Sequence, residues 1–95
     1  MLIVTGSLTA RPDTFDALLA EAQAHVRRSR AEDGCLHHQV ARDCEDPMRL
    51  VFFEKWRDRA ALEAHFRVPA SGAFVAAIRR DAAASGGPDV YEVTA

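Results

Sequence analysis

Apolar and polar residues alternate moderately over residues 2–10, and strand formers dominate there, so the period-two pattern predicts a first strand. Pro12-Asp13 ends it. Phe15, Leu18, Leu19, Ala22, Val26 and Ser29 then recur at helical spacing as one apolar stripe. Asp13 is the expected N-cap, with Asp16 three residues on as a short version of the capping-box acid. Gly34 stands where a left-handed residue would close the helix. Residues 35–43 return to strand character, Glu45-Asp46-Pro47 reads as a turn, and a second strand starts at Met48 and runs into a short helix by Phe66. The two adjacent strands read as an antiparallel hairpin. Asp58 is the N-cap expected for that short helix, and Pro69 ends it. A further helix is predicted over about residues 71–83, with Phe74, Val75, Ile78 and Ala82 on one side. Gly86-Gly87-Pro88 reads as a turn before a last strand over residues 90–94.

The order β-α-β-β-α(α)-β predicts an α+β, ferredoxin-like split βαβ fold, a four-stranded antiparallel sheet with helices on one face. The strand after Met48 departs from a simple amphipathic pattern. Leu50, Phe52, Glu54 and Trp56 share one face, and Val51, Phe53, Lys55 and Arg57 the other. Both faces carry large apolar groups, but helices can cover only one. Exposing two such side chains forfeits several kcal/mol at roughly 25 cal/mol per Å². A second copy packed sheet to sheet is therefore expected, as a two-fold homodimer.

Ninety-five residues, 48% of them hydrophobic, suit one domain spanning residues 1–95. A formal net charge of −2 argues against general binding to nucleic acid or to an anionic membrane. No apolar run approaches a membrane span, and the N-terminus reads as a strand rather than a signal segment. Cys35 and Cys44 lack a Cys-x-x-Cys spacing and read as reduced thiols, which favours a cytoplasmic protein. Arg27, Arg28 and Arg30 suit the negative end of the first helix as solvated charges rather than as an anion site. No phosphate loop, nucleophile triad order, nicotinamide or flavin fingerprint, or paired Cys/His metal spacing is present. His37 and His38 are adjacent on a strand and cannot chelate one ion together.

Gly34-Cys35-Leu36, Arg42-Asp43, Asp46-Pro47, Glu54-Lys55-Trp56-Arg57-Asp58, Ala61-Leu62, His65 and Pro69 together resemble the antibiotic biosynthesis monooxygenase family in order and spacing. The resemblance covers nearly the whole chain and is strongest from Gly34 to Phe74. It implies a dimeric α+β barrel with a pocket between sheet and helices. Family members include oxygenases that use O₂ without metal or flavin on phenolic or quinol-type polyketides, haem-degrading proteins, and isomerases of a phosphorylated sugar derivative. Two departures narrow the reading. Many members carry a His and an aromatic after the proline that follows the second helix, where this chain has Ala70 and Ser71. The Asn, Trp and His of the haem-degrading branch fall at Gly6, His65 and Val75, which argues against haem chemistry.

The expected function is a cofactor-independent monooxygenase acting on a small phenolic or quinol-type aromatic with O₂. His65, on the short helix that should overhang the pocket, is the leading base, since imidazole titrates closest to neutrality. Glu54 is the second catalytic candidate. Buried beside Phe52 and Trp56 its pKa would rise; the competing reading pairs it with Arg42 or Arg49. Trp56, Phe52, His38 and Phe74 are the candidate substrate-binding residues, although Trp56 and His38 also read as core. His38 shares a strand face with Leu36 and Val40. His25 lies near the helix stripe and reads as a cap on the pocket, and Cys35 as a buried packing residue. Two other functions fit the same residues: a proton-transfer isomerase using His65 and Glu54 on a small carbonyl compound, and a non-enzymatic dimer holding a hydrophobic ligand.

Overall fold

The computed structural model describes residues 1–94. The elements run β1 (Leu2–Ala10), α1 (Phe15–Arg30), β2 (Cys35–Arg42), β3 (Arg49–Trp56), α2 (Arg59–Arg67), α3 (Pro69–Asp81) and β4 (Ala82–Glu92). The sheet has the order β2-β3-β1-β4 with every pair antiparallel, the α+β ferredoxin-like arrangement. Register along the central pair sets Leu2 opposite Trp56, Val4 opposite Glu54 and Leu8 opposite Leu50. Directly opposed residues share a sheet face, so these six form one buried row.

β3 sets the layout of the core. Leu50, Phe52, Glu54 and Trp56 are buried, while Val51, Phe53 and Lys55 on the reverse face are only half-buried. Phe52 belongs to an apolar cluster with Leu8, Phe15, Leu18 and Phe74. Trp56 belongs to a second cluster with Leu2, Val4, Ala61 and Leu62. Glu54 stands between them, so the core is apolar at both ends and polar in the middle. From α1 the stripe Phe15, Leu18, Ala22, Val26 and Ser29 is buried, joined by His25.

Several local expectations are corrected. The N-cap of α1 is Thr14, not Asp13, and it makes no capping hydrogen bond to the helix. Its hydroxyl donates to the Asp81 carbonyl at 2.7 Å instead, tying the helix start to the end of α3. The helix closes at Ala31, whose N–H donates to the Arg28 carbonyl while the Glu32 N–H donates to that of Ser29, so Gly34 is not its closing residue. Gly34 is left-handed (φ +81°) in the turn into β2, where a Cβ would strike Ala61. Asp58 does cap α2, accepting from the Ala61 N–H at 2.9 Å. α2 does end before Pro69, which itself starts α3 two residues earlier than expected, because a first-turn residue needs no N–H. Gly86-Gly87-Pro88 lies inside β4, at a register shift between Thr5 and Ser7, with Gly87 at φ +82°. That irregularity lets the edge strand pass β1 without a turn. Cys35 is half-buried and Cys44 exposed, both free. Among the described residues no helix is long and apolar enough to cross a membrane.

Candidate active site

Glu54 is where the buried polar groups converge. Its neighbour two residues on, Trp56, donates its indole N–H to Glu54 Oε1 at 2.8 Å. That bond fits strand geometry, since residues i and i+2 project from the same face. On the adjoining strand His38 pairs in register with Glu54 and brings Nε2 to 3.3 Å from Oε1. The ring is turned away from a hydrogen-bonding direction, and neither His38 nitrogen has a hydrogen-bond partner. His65 Nε2 lies 3.9 Å from the same carboxylate oxygen.

His65 Nδ1 stands 2.9 Å from Glu32 Oε1, in the turn that follows α1. A carboxylate only accepts, so Nδ1 carries the proton and neutral His65 presents a bare Nε2. The ring also stacks at a tilt on Trp56, with centroids 4.6 Å apart. His25 completes the group from α1. It stacks on Phe74 at 4.6 Å and stands 5.3 Å from both His38 and His65 between ring centroids.

Electrostatics follow from this packing. Burial pushes the Glu54 carboxyl up, but the His38 imidazole, the Trp56 N–H and the His65 imidazole around it outweigh burial, leaving Glu54 below the ordinary carboxyl range. The expected upward shift is thus reversed, because polar partners fill the site that the strand pattern paints as aromatic. Neither arginine is the partner. Arg42 donates to the Pro47 carbonyl and lies over the Phe15 ring, while Arg49 pairs with Asp43. His25 is pushed down from 6.5 to about 4, first by burial and then by the neighbouring His38 and His65. Burial, with Glu32 and Glu54 nearby, pushes the Cys35 thiol up, which suits a packing residue.

A cleft of about 320 Å³ opens between sheet and helices over this cluster. Phe52, Glu54, His65 and Phe74 line it, with His25, Ser71 and Val75 beside them and Gly6 on the strand side. Two candidates for substrate contact are placed elsewhere. Trp56 and His38 are 0% and 1% exposed and lie outside the cleft wall, behind Glu54 and His65. They hold wall residues and offer no cleft surface to a substrate. The expected face shared by Leu36, His38 and Val40 is also broken. A shift between Cys35 and His37 changes the phase, leaving Leu36 56% exposed.

An α+β ferredoxin-like sheet with a His- and Glu-lined cleft under its helices describes a class of small dimer-forming or enzymatic scaffolds too broad to fix a family by itself. The family profile described as antibiotic biosynthesis monooxygenase matches residues 1–77, and the chain belongs to that family. Among its relatives, "Putative monooxygenase YcnE" of Bacillus subtilis is 30% identical over 76 residues, covering 80% of each chain. An uncharacterised protein of Synechocystis sp. is 35% identical over 74 residues, 78% of this chain and 50% of that protein. The chain therefore spans about half the length of that relative. A crystal structure of a "putative antibiotic biosynthesis monooxygenase" from Deinococcus radiodurans superposes with a TM-score of 0.94, covering 100% of this chain and 94% of that one. At 24% identity it bears on the fold alone.

Proposed function

We propose that this chain is a monooxygenase that oxidises a small, electron-rich phenol or quinol with O₂, His65 acting as the base and Glu54 as its charged neighbour. The observation that carries the reading is His65 in the cleft wall, its Nδ1 held by Glu32 so that Nε2 is left to take a proton. Deprotonation turns the substrate into an anion able to give an electron to O₂. The two radicals combine at a ring carbon, and loss of water from the hydroperoxide leaves a carbonyl. One oxygen atom enters the ring and the other leaves as water, all four electrons coming from the substrate. Phe52 and Phe74 supply flat apolar walls for the ring. Monooxygenase names among the relatives support the same class of chemistry.

A second copy of the chain is part of this reading. Ile3, Val51, Phe53 and Tyr91 lie together on the sheet face away from the helices, Tyr91 being 54% exposed. A twin sheet is the simplest cover for them.

Oxygen consumption with dihydroxynaphthalene, corrected for the protein-free rate, tests the reaction. The wild type should accelerate uptake, and His65→Ala should lose about 10²–10⁴ of that acceleration. Equal uptake by the two proteins would remove His65 from the mechanism. Turnover of a carbonyl substrate under strict anaerobiosis would replace oxygenation by proton-transfer isomerisation.

A further inference from the structure

His25, His38 and His65 come from α1, β2 and α2, and are 7%, 1% and 3% exposed. One ring nitrogen of each lies within 4.8 Å of those of the other two. The ring centroids are 5.3, 5.3 and 5.7 Å apart. A tetrahedral ion with bonds of about 2.05 Å holds donor atoms about 3.3 Å apart and imidazole centroids about 5.2 Å apart. The rings thus already stand near coordinating distance, and tilting them closes the remaining gap between nitrogens. Glu54 Oε1 adds an oxygen donor 3.3 Å from His38 Nε2 and 3.9 Å from His65 Nε2.

Two features distinguish this group from ordinary core histidines. Both nitrogens of His38 are buried without a hydrogen-bond partner, a state that buried polar groups rarely keep. Its Nε2 is close to Glu54 yet not aligned with it, as donor atoms are when they aim at a common third point. His65, in turn, donates Nδ1–H to Glu32 and turns a bare Nε2 inward. Carboxylate support of that kind orients metal-ligating imidazoles and fixes their tautomer.

We propose that His25, His38 and His65, with Glu54 as the fourth donor, form a binding site for a divalent first-row transition ion of the Zn²⁺ type. Imidazole and carboxylate donors in a tetrahedral set suit such ions and disfavour Mg²⁺ or Ca²⁺, which take oxygen-rich shells. The site does not depend on the oxygenase reading. An ion would occupy the His65 nitrogen that base catalysis leaves bare, so metal-bound and base-competent forms are alternative states of one cluster.

Untagged protein, stripped with chelator and dialysed, is titrated with Co²⁺, which absorbs strongly in the visible only in tetrahedral surroundings. Saturation at one ion per chain, displacement by equimolar Zn²⁺ and a thermal midpoint raised by Zn²⁺ are expected. His38→Gln and His25→Gln should abolish the band. His37→Gln should retain it, since that imidazole is exposed and bonded to Gln39. A folded wild type with neither band nor thermal shift at about a hundredfold ion excess overturns the site. So does a band that survives in folded His38→Gln. If that variant does not fold, the wild-type titration decides. No activity is read, so failure here leaves the oxygenase reading standing, and loss of that reading leaves the titration unaffected.

Discussion

Glu32 and His65 are separated by 33 positions in sequence and 2.9 Å in space, a carboxylate holding the far nitrogen of the imidazole that faces the cleft. As His65 takes a proton the ring becomes cationic, and Glu32 stabilises that form. An amide does so far less. Glu32→Gln should therefore weaken the base. The kcat/KM for oxygen uptake should fall by about tenfold or more. Measuring kcat/KM from pH 5 to 9 checks this, and an unchanged profile would exclude Glu32 from the reaction.

His25 makes stability depend on pH. Its folded pKa of about 4 lies below the ordinary 6.5, so between these values the unfolded chain binds more protons. Stability from this group is complete above 6.5 and is lost as pH falls toward 4. The difference is worth about 3 kcal/mol by linkage. The groups facing His25 are His38 from β2, Glu54 from β3, His65 from α2 and Arg28 from its own helix. Glu54, with its lowered carboxyl, adds a loss in the same direction below its ordinary 4.5. Urea midpoints in chelator should drop steadily from pH 7 to pH 4.5. His25→Gln should flatten that slope, and a flat wild-type curve would contradict the burial argument.

Which of these groups a reader could find in the sequence follows from how local their placement is. Period-two alternation on β3 correctly puts Leu50, Phe52, Glu54 and Trp56 inside, and helical spacing does the same for Phe15, Leu18, Ala22 and Val26. His65 stands out because it follows that strand by one short helix. Glu32 does not, because its meeting with His65 depends on how the turn after α1 folds back on α2. His25 sits three residues from Ala22, on the stripe's own spacing, but a polar residue is easily discounted there. Leu36 misleads because a bulge changes the phase of β2. Gly86-Gly87-Pro88 has turn composition, yet pairing with β1 keeps it in the edge strand. Nor did the aromatic setting of Glu54 disclose its histidine partners, which arrive from other elements and reverse its titration.

The bond from Trp56 to Glu54 should be measurable as stability. Trp56→Phe keeps most of the apolar contact and removes the N–H donor at 2.8 Å. A hydrogen bond to a buried carboxylate is worth about 1.5–3 kcal/mol. Urea unfolding followed by circular dichroism should report a loss of that size at pH 8, shrinking as pH falls toward the carboxyl range, because without the donor the folded Glu54 takes up a proton more readily. An unchanged midpoint would mean that the carboxylate finds another donor.

Gly34 tests the turn into β2. Its φ of +81° disfavours any side chain, and a Cβ there would strike the Ala61 methyl at the start of α2. Gly34→Ala should destabilise by about 1–3 kcal/mol, which lowers Tm by roughly 4–8 °C per kcal/mol in a chain of this size. A Tm equal to the wild type would show that the turn relaxes freely.

The outer face of the sheet gives the prediction on assembly. Phe53 pairs in register with Thr5 on one side and Gln39 on the other, at the middle of the face that the helices leave uncovered. With Val51, Ile3 and Tyr91 it forms an apolar patch whose burial by a twin would repay about 25 cal/mol per Å². A charge at its centre would have to be desolvated against its own symmetry mate, because a two-fold interface brings equivalent residues near the axis. Light scattering should therefore give twice the chain mass for the wild type at micromolar concentration. Phe53→Glu should run as a monomer with its circular dichroism retained, since Phe53 lies outside both core clusters. A wild-type protein that stays monomeric to about a hundred micromolar, well above the micromolar affinities common for such interfaces, would show that the two-faced apolar pattern of β3 serves something other than a second copy.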